Sequence, residues 1–134
     1  MGAQENRRLM QDIFSGLSTG DGSLLIASLV DSFCWTVMGT TKWSRTYRGK
    51  LAVQADLLRP LLSKFEDQYT NNAQRFIAEG EYVVVECRGL ATTKSGEPYS
   101  NAYCWICRIS DGKLEELIEY GDTQLIAKVL GDPS

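Results

Sequence analysis

Residues 99–120 read Tyr-Ser-Asn-Ala-Tyr-Cys-Trp-Ile-Cys-Arg-Ile-Ser-Asp-Gly-Lys-Leu-Glu-Glu-Leu-Ile-Glu-Tyr, two β-rich runs separated by Asp111-Gly112. Asp-Gly between apolar stretches is a strong signal for a two-residue hairpin, because both central positions of the favoured turn need positive φ. The turn pairs Ser110 with Lys113 and Ile109 with Leu114. Counting outward without interruption pairs Cys107 with Glu116, Trp105 with Ile118, Tyr103 with Tyr120 and Asn101 with Asp122 on one face. The opposite face then collects Ala102, Cys104, Ile106, Arg108, Leu117 and Glu119.

Upstream, strands are expected over 69–78 and 82–93, with a turn at Glu79-Gly80-Glu81 and a longer one at residues 94–98. Before them, Leu9, Met10, Ile13, Phe14 and Leu17 recur at helical spacing over residues 5–17. Asp21 is placed to cap a second helix carrying Leu24, Leu25 and Ala27. A strand is expected from Asp31 to Met38 and a short one around Tyr47. Leu51, Val53, Leu57, Leu58, Leu61 and Leu62 form the apolar face of a third helix, which Pro60 should kink or restart. Residues 123–130 read as a short final helix. Helices first and antiparallel strands afterwards define an α+β fold, with the helices on one face of a curved sheet. Nothing in residues 1–134 suggests a linker or a second domain.

Composition narrows the function. The chain has 134 residues, 43% hydrophobic and 23% charged, and a net charge of −3, so nucleic acid and anionic membranes are not expected partners. The N-terminal residues lack a signal-peptide core, and no apolar run approaches the roughly 20 residues that span a bilayer. The expected address is cytoplasmic. There is no histidine, which excludes His bases, Ser-His-Asp triads and His-ligated zinc. Any acid or base must be a carboxylate, Lys, Tyr or Cys. Cys104 and Cys107 form Cys-x-x-Cys, but on a strand they point to opposite faces and cannot grip one metal ion. No phosphate loop, metal cluster or cofactor motif is found, so none of these groups is expected.

The uninterrupted hairpin count places aromatic residues beside an amide and a carboxylate, the character of a small-molecule pocket. Trp35, Tyr103, Trp105 and Tyr120 are expected as walls, with Asp122 and Asn101 as polar handles. Desolvation against aromatic walls would raise the pKa of Asp122 toward neutrality. Asp122 is equally placed to cap the final helix, and aromatics such as Trp35, Tyr103 and Trp105 are more often core than ligand contacts. Glu86 and Arg88 share one face of an otherwise apolar strand, where they either reach the pocket or form a structural ion pair.

The order of elements resembles the SnoaL-like branch of the ketosteroid isomerase and nuclear transport factor two-like superfamily. The likeness rests on Gly20-Asp21, Trp35, Gly-Lys-x-Ala at 49–52, Thr-Lys-Ser-Gly-x-Pro-Tyr at 93–99, Asp111-Gly112-Lys113 and Glu-Tyr-x-Asp-Thr at 119–123. It implies a cone-shaped roll of three N-terminal helices on a strongly curved, mostly antiparallel sheet, and a homodimer. The superfamily hosts isomerases, cyclases, dehydratases, epoxide hydrolases and proteins without chemistry, so the fold alone does not fix the activity. Steroid isomerases carry an oxyanion-binding Tyr on the first helix, and residues 5–17 contain none. Epoxide hydrolases use Arg-x-Asp and Tyr-x-Asn, where this chain has Arg88-Gly89-Leu90 and Trp35-Thr36-Val37. Asp31 stands near the isomerase base, although an Asp at a strand start is ordinarily solvated. Polyketide cyclases keep an acid/base carboxylate near the end of the last strand, where Asp122 stands. The implied function is a pocket for an apolar carbonyl compound, with Asp122 and Asn101 moving a proton. A non-catalytic ligand-binding or dimeric interaction protein is the alternative.

Overall fold

The computed structural model describes residues 2–134. Two helices open the chain, α1 (Ala3–Leu17) and α2 (Ser23–Ala27). Strands β1 (Leu29–Val37) and β2 (Thr46–Arg48) follow. A helical segment then runs as α3 (Lys50–Ala52), a π-helical stretch (Val53–Leu58) and α4 (Arg59–Leu62). Strands β3 (Thr70–Glu79), β4 (Tyr82–Thr92), β5 (Pro98–Ser110) and β6 (Lys113–Tyr120) lead to α5 (Thr123–Leu130). The strands form one open sheet in the order β2-β1-β6-β5-β4-β3. Among the described residues only the β1–β6 pairing is parallel. The expected α+β architecture is observed.

Local chemistry explains the boundaries. Asp21 accepts the Ser23 N–H at 2.9 Å, supplying an acceptor to the first turn of α2. Pro60 has no N–H to return to the preceding turn, and the helix widens to π geometry just ahead of it. Asp111 and Gly112 adopt φ of 50° and 73°, as the tight hairpin turn requires.

The strand count beyond that turn needs correcting. Ile109 pairs with Leu114, but Arg108 pairs with Glu116, so Glu115 is an extra residue in β6. Such a bulge places two residues opposite one and inverts the facing of everything beyond it. Trp105 therefore faces Glu119 rather than Ile118, and Cys104 rather than Tyr103 pairs with Tyr120. Leu117 and Glu119 join the inner face.

That inner face packs on the helices. Met10, Ile13 and Phe14 of α1 are buried beside it. The Phe14 ring meets Phe76 edge-on at 5.9 Å and Trp105 at 5.2 Å. Trp105 in turn meets Trp35 edge-on at 5.2 Å. Burial of each such side chain contributes about 1.5–3 kcal/mol, so this stack anchors α1 to the sheet. The outer face has no helix over it.

Because Gly112 sits at positive φ, Gly112→Val is expected to destabilise the fold by roughly 1–2 kcal/mol. Equilibrium urea unfolding measures it.

Candidate functional site

Between the inner face and the helices lies a mostly apolar cavity of about 440 Å³. Trp35, Tyr103 and Trp105 line it, as the sequence led us to expect. Leu57, Leu58 and Leu61 close it from the third helical segment, and Ile126 and Leu130 of α5 close one end. The Trp43 indole N–H donates to the Gly131 carbonyl at 3.0 Å, joining the loop after β1 to the end of α5.

The cavity's carboxylate is Glu119. The Trp105 Nε1–H donates to Glu119 Oε1 at 3.0 Å. Loss of hydration pushes the carboxyl up to about 7, against the smaller opposing effects of the Trp105 hydrogen bond and the nearby Trp35 indole. Trp35 Nε1 itself does not reach ordinary hydrogen-bond geometry. The group is thus poised to gain or lose a proton near neutrality.

A second polar feature is a chain of phenols. Asn101 Oδ1 accepts the Asp122 backbone N–H at 3.0 Å, and Asn101 Nδ2 donates to the Tyr99 oxygen at 2.9 Å. The Tyr99 and Tyr103 hydroxyls are hydrogen-bonded to each other, and the Tyr69 hydroxyl and the Tyr103 ring both crowd Gly89. Burial pushes Tyr99 up to about 12, and Tyr69 and Tyr103 well above the ordinary tyrosine value. All three stay protonated near pH 7.

The remaining expected site residues lie elsewhere. The Asp122 carboxylate does not line the cavity; it accepts the Leu125 N–H at 3.2 Å and caps α5. Asn101 is buried but ties the β6–α5 junction to Tyr99. Tyr120 lies on the outer face, 45% exposed, because of the Glu115 bulge. Glu86 pairs with Arg75 at 2.9 Å, and Arg88 donates to Ser100 Oγ at 2.9 Å, both on the outer face. The inward positions of β4 belong to Val83, Val85 and Cys87. Asp31 is exposed. Cys104 is half-buried and Cys107 fully buried, on opposite faces of β5.

Tyr69 and Tyr99 were not among the expected site residues, and Glu119, set on the opposite face by the uninterrupted count, was the weaker candidate for a base. The sequence held a signal for Glu119 in the two leucines at 114 and 117: both prove fully buried, and two inward residues three apart in one strand require an inserted residue between them.

An open, mostly antiparallel sheet roofed by helices over an apolar cavity places the chain in the class of α+β folds with one helix-covered sheet face. The chain belongs to the SnoaL-like domain family, whose model matches residues 10–117. It is similar to an NTF2-like protein from Burkholderia xenovorans LB400, at 25% identity and a TM-score of 0.74, over 98% of this chain and 99% of that one. A candidate SnoaL-like polyketide cyclase from Jannaschia sp. CCS1 shares the fold at 14% identity and a TM-score of 0.80, covering 98% and 95% of the two chains. TerC, crystallised with polyporic acid, shares it at 17% identity and a TM-score of 0.78, over 94% and 98%. No curated protein matches the chain. No helix among the described residues is long and apolar enough to cross a membrane.

The raised Glu119 pKa carries a stability consequence. Between the unperturbed value of 4.5 and about 7 the folded chain holds a proton that the unfolded chain releases. This contribution is therefore full at low pH and is lost as pH rises through about 7. Glu119→Gln should remove that loss, and comparing wild-type and variant unfolding free energies across the window measures it.

Proposed function

We propose that the protein is a cofactor-independent acid/base catalyst for an apolar carbonyl compound, with Glu119 as the group that moves the proton. The carrying observation is an ionisable carboxyl, pushed up to about 7 by loss of hydration, on the wall of an apolar cavity. The role first expected of Asp122 passes to Glu119, since the Asp122 carboxylate caps α5.

The chemistry follows from the cavity. Ionised Glu119 takes a proton from carbon next to the substrate carbonyl; the C–H electron pair forms a C=C bond and the C=O pair moves onto oxygen. Return of the proton to another carbon gives an isomer, whereas attack of the enolate carbon on a second carbonyl of the same molecule closes a ring. The apolar walls hold the substrate in a reactive shape and exclude water. The crystallisation of TerC, a protein of the same fold, with polyporic acid supports reading the cavity as a ligand site.

Glu119→Gln should lower kcat by about 10²–10⁴-fold on a turned-over substrate, while Asp122→Asn, which still caps the helix, leaves it near wild type. With Glu119 acting as base, kcat/KM should rise as pH passes through about 7. A flat profile, or full activity in Glu119→Gln, refutes the assignment. Ligand binding without turnover would identify a carrier instead.

A second reading concerns assembly. Ile77, Tyr82 and Tyr120 are 52%, 47% and 45% exposed on the uncovered outer face. Their apolar surface favours self-association of two copies through that face. Sedimentation should give a dimer that Tyr82→Glu dissociates; a monomer at all concentrations refutes it.

A further inference from the structure

Tyr69, Ala73, Phe76 and Ala78, leading into and along β3, pack against the core. Asn71, 2% exposed, shares their face and lines the cavity. Among the described residues the buried polar side chains are Asn6, Ser28, Asn71, Thr93 and Asn101. Asn6, Ser28, Thr93 and Asn101 each hydrogen-bond within the chain. Asn71 differs, since neither its Oδ1 nor its Nδ2 meets a hydrogen-bond partner among the described residues. The Cys87 thiol, inward on β4, lies near the amide without reaching hydrogen-bond geometry, and a thiol is a weak partner.

A buried amide without partners has lost its hydration and regains nothing from the fold. Packing gives no reason for an amide there, because Ala73, Phe76 and Ala78 continue the row as apolar residues. The residue opposite Asn71 on β4 is Gly89, which presents no side chain at that rung. Asn71 also stands apart from Glu119. Their strands, β3 and β6, are three places apart in the sheet. The Asn71 rung passes through Gly89 to Asn101, four residues along β5 from Trp105, which pairs with Glu119. The two groups therefore address different parts of a bound molecule.

We propose that Asn71 selects the ligand by bonding, through both atoms of its amide, to a neighbouring donor and acceptor on the edge of the molecule that lies away from Glu119. This rests on the reading of the cavity as a ligand site and adds the feature that decides which compounds it takes. An amide presents an acceptor oxygen beside a donor nitrogen, so its complement is a C=O next to an N–H or O–H, as in a lactam or a hydroxy ketone. With neither atom engaged elsewhere, the amide is free to turn either way round to meet that pair. A ligand that lacks one member leaves a buried polar atom unpaired, which such a site rejects more strongly than a change in apolar shape. The substrate class narrows from apolar carbonyl compounds to those whose far edge carries a donor beside an acceptor.

The probes are 2-quinolone, an uncharged bicyclic lactam with N–H beside C=O, and coumarin, which has the same shape with a ring oxygen in place of the N–H. Wild-type protein should bind 2-quinolone ~10-fold more tightly, the scale of one hydrogen bond made rather than left unpaired. Asn71→Leu should bind the two alike, and its unliganded Tm should rise, because an unpaired amide is exchanged for apolar surface. An amide serving only the fold would lower the Tm when replaced. Asn71→Ala carries the affinity comparison should Asn71→Leu not fold. Glu119→Leu should keep the preference for 2-quinolone. Continued discrimination in Asn71→Leu, a lowered Tm in that variant, or loss of discrimination in Glu119→Leu overturns the assignment of Asn71. Each leaves in place the Glu119 proton transfer, which its own pH profile tests. Equal binding of the two probes by wild-type protein, or binding of neither, overturns the assignment as well.

Discussion

One extra residue, Glu115, in the ladder between β5 and β6 decides which side chains of the last strand face the helices. With it, Leu117 is buried in the core, and Glu119 meets the Trp105 indole of the neighbouring strand on the cavity wall. Without it, the same strand would turn Ile118 and Tyr120 inward in place of Leu117 and Glu119. A strand register is a two-valued choice, because side chains alternate strictly between faces. The bulge selects the value that gives the pocket an acid.

Placing that acid there opposes folding. A carboxylate stripped of water is held in its charged form only by what donates to it, and around Glu119 this is chiefly one indole N–H. The compensation is incomplete, and the carboxyl therefore remains protonated up to about pH 7. The surrounding aromatic stack of Phe14, Trp35 and Trp105 supplies the packing that offsets such a site. In a chain without histidine, an under-solvated carboxyl is a direct way to obtain a proton acceptor that titrates near neutrality.

The elements were legible in the sequence because their signals are local. The Asp111-Gly112 turn, the apolar spacing of residues 5–17 and the Pro60 interruption each report on a few neighbouring residues, and each appears where expected. The aromatic walls Trp35, Tyr103 and Trp105 were legible for the same reason, since their strands alternate regularly. The carboxylate was not, because its facing depends on every residue between it and the turn. One insertion at Glu115 exchanged Glu119 for Tyr120 on the inner face. Glu86 and Arg88 depended on the longer turn at residues 94–98, which does not fix parity, and the paired register turns both outward. Tyr69 opens the strand expected over 69–78 and lies one residue before β3, and its approach to Tyr103 over Gly89 exists only in three dimensions.

Asn101 and Asp122 show how a correct contact can carry a different role. They do meet, as counting from the hairpin suggested, but through the Asp122 backbone rather than its carboxylate. The carboxylate is engaged at the first turn of α5, whose Ile126 and Leu130 close the cavity. The same junction therefore seats the helix that shuts the pocket and orients the amide that points toward Tyr99. Closure of the cavity and alignment of its phenols thus depend on one short stretch of backbone after β6. A substitution there that frees α5 would open the pocket and release the Asn101 amide from Tyr99 together, although it does not touch Glu119.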